Sequence, residues 1–172
     1  MATYRFKEGV SLPHDFAANG GVIKRRVDIP ALIANGGLTD TAGTAQSLAS
    51  TGFASADILQ VFLVPQGFLL YQVGVFMDTV EDSVCTGDIG IITAAQNNWA
   101  SGAATNLMNT WNLATAGAQL GLVGDTLGGT TYMSTLFITD GQLSVTFNNA
   151  SDTAIFDIWA VGWFVKAYGG AW

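Results

Sequence analysis

The chain is 172 residues long, the size of one domain, and 49% of it is hydrophobic while only 11% is charged, against about 25% in ordinary soluble domains. That composition excludes a disordered chain and leaves more apolar surface than a lone monomer readily hides. A single cysteine and a single histidine exclude an intrachain disulfide framework and a Cys/His zinc cluster, and the net charge of −7 hides an uneven distribution.

Five of the six basic residues, Arg5, Lys7, Lys24, Arg25 and Arg26, fall in the first 26 positions, where the acids are only Glu8 and Asp15; the rest of the chain holds Lys166 against eleven acids. This separation reads as a basic N-terminal arm on an acidic body, with those five residues as candidate contacts to an acidic protein surface. Nucleic acid is not an expected partner, because Lys24-Arg25-Arg26 is not interleaved with stacking aromatics and the acidic body repels phosphate. The opening residues show no apolar h-region or small-residue cleavage site, so synthesis in a host cytoplasm is expected. His14, in this polar stretch, is poorly placed for a preorganised base, and no Ser/His/Asp or Cys/His group is expected. Residues 1–52 carry two Gly pairs, Pro13 and Pro30 with one short apolar run from Val27 to Ile33, and the Ala/Thr/Gly/Ser-rich segment 39–56 marks a boundary. The expected division is an arm and extended segment over 1–52 and a β-sandwich body over 53–172.

Residues 58–77 form an apolar stretch of membrane-spanning length, but Val64-Pro65-Gln66-Gly67 fits a type I turn that divides it into two strands, and no membrane span is expected. The acidic tract 78–83 reads as a turn leading to a third strand around Val84–Thr93. Residues 94–130 read as a long loop region carrying a short strand or helical turn, with Trp99 and Trp111 spaced irregularly. Asp140-Gly141 between alternating runs is a strong hairpin signal. Beyond it, Leu143, Val145 and Phe147 share one face of a strand whose other face is polar. The next run, Thr153–Ala167, has no polar face, so it belongs inside a sheet with its second face under loops or a neighbouring subunit. Six or seven such strands with little helical periodicity predict an all-β antiparallel β-sandwich or jelly roll, a flattened barrel being the nearest alternative.

Chemistry is sparse. Asp78, Glu81, Asp82 and Asp88 are the carboxylates grouped most closely, yet they lack the ligand spacing of an EF-hand loop and read as a solvated acidic turn. Cys85, with acidic neighbours and no nearby histidine, reads as a small strand residue, and Trp159 and Trp163 as packing. No catalytic site, metal or cofactor is expected.

Val64-Pro65-Gln66-Gly67, the strand with Leu70, Val73, Gly74 and Val75, then Thr79, an acidic turn and Thr86-Gly87-Asp88-Ile89-Gly90 form one ordered tract. With the later Asn148-Asn149-Ala150 and the long apolar strand to Tyr168, this order resembles small structural proteins of tailed bacteriophages, over roughly 57–93 and 131–168. The resemblance implies a non-enzymatic head decoration, or cement, protein with a jelly-roll-like body. Such a protein sits as an oligomer outside the capsid, with the major capsid protein as its partner. A trimer is the expected unit, using Phe68, Leu70 and Phe76 or Phe156, Ile158 and Phe164; the other reading of these six is two-sided core under loops. The alternative function is a phage tail or receptor-binding module contacting host glycans through Trp99 or Trp111.

Overall fold

The computed structural model describes residues 2–7, 21–64, 68–93, 107–122, 126–127, 130–131, 135–136 and 141–164. Extended elements dominate them: β1 (Thr3–Phe6), β2 (Gly21–Asp28), β3 (Leu38–Thr39), β4 (Ala45–Gln46), β5 (Ile58–Val64), β6 (Phe68–Thr79) and β7 (Thr86–Thr93). There follow β8 (Met108–Asn112), β9 (Gly117–Leu122), β10 (Thr126–Leu127), β11 (Thr130–Thr131), β12 (Thr135–Leu136), β13 (Gly141–Phe147) and β14 (Ile155–Phe164). One sheet runs β4-β3-β1-β5-β13-β7-β8; the second runs β12-β6-β14-β2, with β9 also pairing β6. The pairings are antiparallel except β1 with β5, so the chain is an all-β sandwich, as the turn and alternation pattern predicts. No helix among the described residues is long and apolar enough to cross a membrane.

Both sheets turn an apolar face to a single shared core. Leu143, Val145 and Phe147 of β13 are fully buried, as their alternation requires, and Phe156, Ile158 and Ala160 of β14 meet them from the second sheet. Aromatic contacts fill the core: Phe53 stacks on Phe147 with ring centroids 4.4 Å apart, Tyr4 meets Phe53 edge-on, and Trp111 of β8 in the first sheet meets Phe156 of β14 in the second at 5.1 Å. Such pairs add about 0.5–1.5 kcal/mol beyond the area they bury.

The segment 1–52, expected as an arm and extended chain, is built into both sheets over its described residues. β1 lies between β3 and β5, and β2 pairs with β14 from Gly21 against Gly162 to Asp28 against Ile155. The apolar run Val27–Ile33 is two elements: β2 ends at Asp28, and α1 (Ile29–Asn35) follows. The Asp28 side chain accepts from Ala31 N at 2.9 Å and Pro30 sits in the first turn, the usual acceptor and proline positions at a helix start. Within the expected loop 94–130, Met108–Asn112 and Gly117–Leu122 form strands that join the two sheets along one side. The turn residues 65–67, His14, Trp99, Asp140, Lys166 and Trp172 lie outside the described residues, as do the side chains of Trp163 and Phe164.

Two tryptophans lie over glycines directly across the ladder. Trp111 faces Gly87 and Trp159 faces Gly74, so closely that a Cβ on Gly87 would stand 2.7 Å from Trp111 Nε1, and one on Gly74 2.2 Å from the Trp159 ring. Trp111 is buried and held against Phe156, whereas Trp159 is half-buried on the outer side. Gly87→Ala is therefore expected to lower stability by about 1–3 kcal/mol in urea unfolding, the usual cost of overpacking, and Gly74→Ala by less because its tryptophan has room to swing away.

Candidate functional site

β2 carries three of the candidate basic residues, and its alternation divides them. Ile23, Arg25 and Val27 occupy the inward side, with Ile23 and Val27 buried, while Val22, Lys24 and Arg26 occupy the outward side. Outside, Lys24 Nζ lies 2.7 Å from Asp157 Oδ2 and Arg26 pairs with Asp78. Inside, the Arg25 guanidinium stacks 3.6 Å over the Phe6 ring. In β1, Arg5 donates to Gln60 Oε1 and to the Thr41 carbonyl, the latter at 3.2 Å, and the exposed Lys7 holds to Gly37 O through its backbone N–H. The basic cluster seen along the sequence is thus dispersed, with Arg5, Arg26 and Lys24 set against residues of β5, β6 and β14 and Arg25 against Phe6 of β1.

The outward face of the second sheet combines these ion pairs with apolar side chains. Register sets up rows across β2, β14, β6 and β9: Val22 beside Val161; Lys24 beside Trp159, which faces Gly74; and Arg26 beside Asp157, which faces Phe76, itself beside Ala118. Val22 is 61% exposed and Phe76 47%, with Trp159 and Val161 half-buried between them. Of the six expected interface residues, Phe68, Leu70, Phe156 and Ile158 pack inside the chain's own core and Phe76 is exposed. Phe164 lies in β14 with its side chain outside the described residues. The physical reason is the choice of face: β14 turns Phe156 and Ile158 inward, so Trp159 and Val161, one position out of phase, form the outer surface.

The four grouped carboxylates do not converge. Asp78 pairs with Arg26, and Asp88 is buried, accepting from Thr110 N at 2.7 Å. Glu81 and Asp82 instead meet Asp152, with oxygens of all three within 4.8 Å of one another. Glu81 is buried and already engaged: its carboxylate accepts from Ser151 Oγ at 2.5 Å, Thr153 Oγ1 at 2.9 Å, and the backbone N–H groups of Thr153 and Ala154. Burial pushes its pKa upward, but these four donors outweigh it and hold the carboxyl below its ordinary range. Asp152 moves the other way, raised by desolvation and then by its hydrogen bond with Glu81 and the Glu81 charge. Burial and the Glu81 charge also push the Cys85 thiol up to about 11, so it is un-ionised at neutral pH. Glu81 is accordingly a clamp that fastens the 151–154 turn to the end of β6, with its lone pairs already committed.

No protein-family model matches the chain, and no curated protein matches it. Solved structures do. The chain shares its fold with a chain from the capsid of Ralstonia phage GP4. The superposition has a TM-score of 0.60 and covers 96% of this chain and 100% of that one at 12% identity, so the likeness is one of fold. A chain from the acidic stable capsid structure of Helicobacter pylori bacteriophage KHP30 superposes with a TM-score of 0.49 over 88% of this chain and 91% of that one, at 8% identity.

The clamp makes two measurable predictions. Glu81→Ala leaves Ser151, Thr153 and two backbone N–H groups without their acceptor, and urea unfolding at pH 7 is expected to show a loss of about 2–4 kcal/mol. Because the folded pKa of Glu81 is depressed, its contribution is present above the unfolded value of about 4.3 and is lost as pH falls through the lower folded value. Glu81→Gln should therefore be less stable than wild type at pH 7 and lose less stability between pH 5 and pH 3; equal acid slopes would contradict the clamp.

Proposed function

We propose that the protein is a non-enzymatic structural component of a bacteriophage head. In this reading it is a decoration, or cement, protein on the outer capsid surface, bound to the major capsid protein as a homo-oligomer, with a trimer as the unit that matches local threefold positions. The observation that carries the reading is the likeness of fold to a phage capsid chain along that chain's whole length.

Composition supports it independently, since a chain with 11% charged residues leaves much of its surface to apolar and small polar groups. The outward face of the second sheet supplies the surface for subunit contact: Val22, Trp159, Val161 and Phe76 are apolar, and the charges among them are neutralised by Lys24–Asp157 and Arg26–Asp78. A neutral apolar face suits burial against a similar one, where each large side chain covered contributes about 1.5–3 kcal/mol.

Light scattering coupled to size exclusion tests the subunit contact: wild type should elute as an oligomer at micromolar concentration, and Phe76→Asp should weaken association by at least about tenfold. A wild-type monomer at that concentration would reject the preformed oligomer. Sedimentation of the purified protein with phage heads stripped of it tests the decoration role, saturable binding being expected and no binding contradicting it.

A further inference from the structure

The outward side of the first sheet carries a square of four facing positions on β13 and β7. Register sets Thr146 opposite Asp88 and Ser144 opposite Gly90, so three corners bear oxygen-carrying side chains and the fourth bears none. All four lie away from the core, because Leu143, Val145, Phe147 and Ile89 take the inward positions. Ser144 is fully buried there and Asp88 is 7% exposed, and the hydroxyl oxygens of Ser144 and Thr146 are shut off from solvent with no hydrogen-bond partner. Gln60, the neighbour of Ser144 on β5, has its Oε1 turned to Arg5. Asp88 stands at a register shift of β7 against β8, where Thr110, at φ 52°, aims its N–H at Asp88 Oδ1 from 2.7 Å. That contact fixes the carboxylate through one oxygen, and among the described residues no ion pair reaches Asp88.

A buried carboxylate ordinarily has a counter-charge and a buried hydroxyl a partner, and one bound cation supplies both to all three corners. We propose that this square holds a calcium ion, bound by Asp88 Oδ2, Thr146 Oγ1 and Ser144 Oγ, with water completing its shell above Gly90. Calcium–oxygen bonds are about 2.3–2.6 Å, so two oxygens sharing the ion stand up to about 5 Å apart. Facing side chains of an antiparallel pair start about 4.5–5.5 Å apart and same-face neighbours along a strand about 7 Å apart, a gap that oxygens leaning to the centre close. The missing side chain of Gly90 keeps the centre open to the ion and its waters. Asp88 repels an anion, and magnesium demands a regular octahedron and gives up its water reluctantly. Bound there, the ion ties β7 to β13 within the first sheet, a role independent of the head-protein reading.

The test is calorimetric titration of calcium into the full-length protein, freed of divalent ions with EDTA and kept in tetramethylammonium chloride so that sodium does not compete. One saturable site per chain is expected, with a Kd of about 0.1–1 mM for so few charged ligands, and magnesium should bind more weakly. Calcium at about ten times its Kd should raise the folded-to-unfolded ratio in urea about tenfold. Ser144→Ala should weaken calcium binding by about tenfold yet leave the calcium-free protein at least as stable as wild type, because it removes a buried hydroxyl that lacks a partner. Asp88→Asn keeps an acceptor for Thr110 N and should abolish binding, whereas Asp152→Asn should leave the Kd unchanged. No saturable heat up to about 10 mM calcium, or binding untouched by Ser144→Ala, would overturn the assignment. Binding lost in Asp152→Asn would place the ion on the carboxylates of Glu81, Asp82 and Asp152 instead and equally overturn it. So would a calcium-free Ser144→Ala protein less stable than wild type, which would make water the partner of that hydroxyl.

Discussion

The central constraint of this fold is a strand whose two faces are both apolar but for the ion-paired Asp157. β14 runs from Ile155 to Phe164 against β6 and from Ile155 to Gly162 against β2, so it is hydrogen-bonded on both edges while both its faces carry large apolar groups. Its inner set, Phe156, Ile158 and Ala160, is covered by the opposite sheet, each large side chain contributing about 1.5–3 kcal/mol. The outer set, Trp159 and Val161, is only half covered. Trp159 has Gly74 directly opposite, where the missing side chain lets the indole lie flat on the sheet. A chain that must bury one face of β14 is left with an apolar second face, which is the surface proposed above for contact between subunits.

Electrostatics follow from the same sheet. The sequence separates positive and negative charge along its length, but folding brings β2 beside β14 and near β6, and Lys24 and Arg26 find Asp157 and Asp78 across the ladder. Exposed pairs of this kind are worth only about 0.2–1 kcal/mol, so their main effect is to make the outward face nearly neutral. Two arginines take different surroundings: Arg25 turns inward onto Phe6, and Arg5 bonds to the neutral oxygens of Gln60 and Thr41. Elsewhere the negative charge of Glu81 is placed where backbone and hydroxyl donors converge, which explains how a buried carboxylate is kept in a mostly apolar domain.

The strands β5, β6, β7, β13 and β14 were legible as alternating or continuous apolar runs divided by turn residues, and with them the sandwich class. β1 and β2 were not. The parallel pairing of Thr3–Arg5 with Ile58–Gln60 joins segments 55 positions apart and leaves no local pattern, and the three successive basic residues of β2 obscure the alternation of Ile23 and Val27. The start of α1 did have a readable signal, Asp28 two residues ahead of Pro30, hidden inside what read as one apolar run. Alternation also shows which residues share a face without showing which face meets the other sheet. For that reason Phe156 and Ile158 proved to be core, while Trp159 and Val161 lie outside. Register shifts at Ile155/Phe156 and Val161/Gly162 complicate any such reading, because each moves subsequent residues relative to the partner strand.

The head-protein reading is tested most directly by immunogold electron microscopy, using antibody raised to this protein on virus particles from the culture that produces it. Gold distributed over the outside of the heads is the predicted result. Gold confined to tails, or particles that carry none, would contradict it.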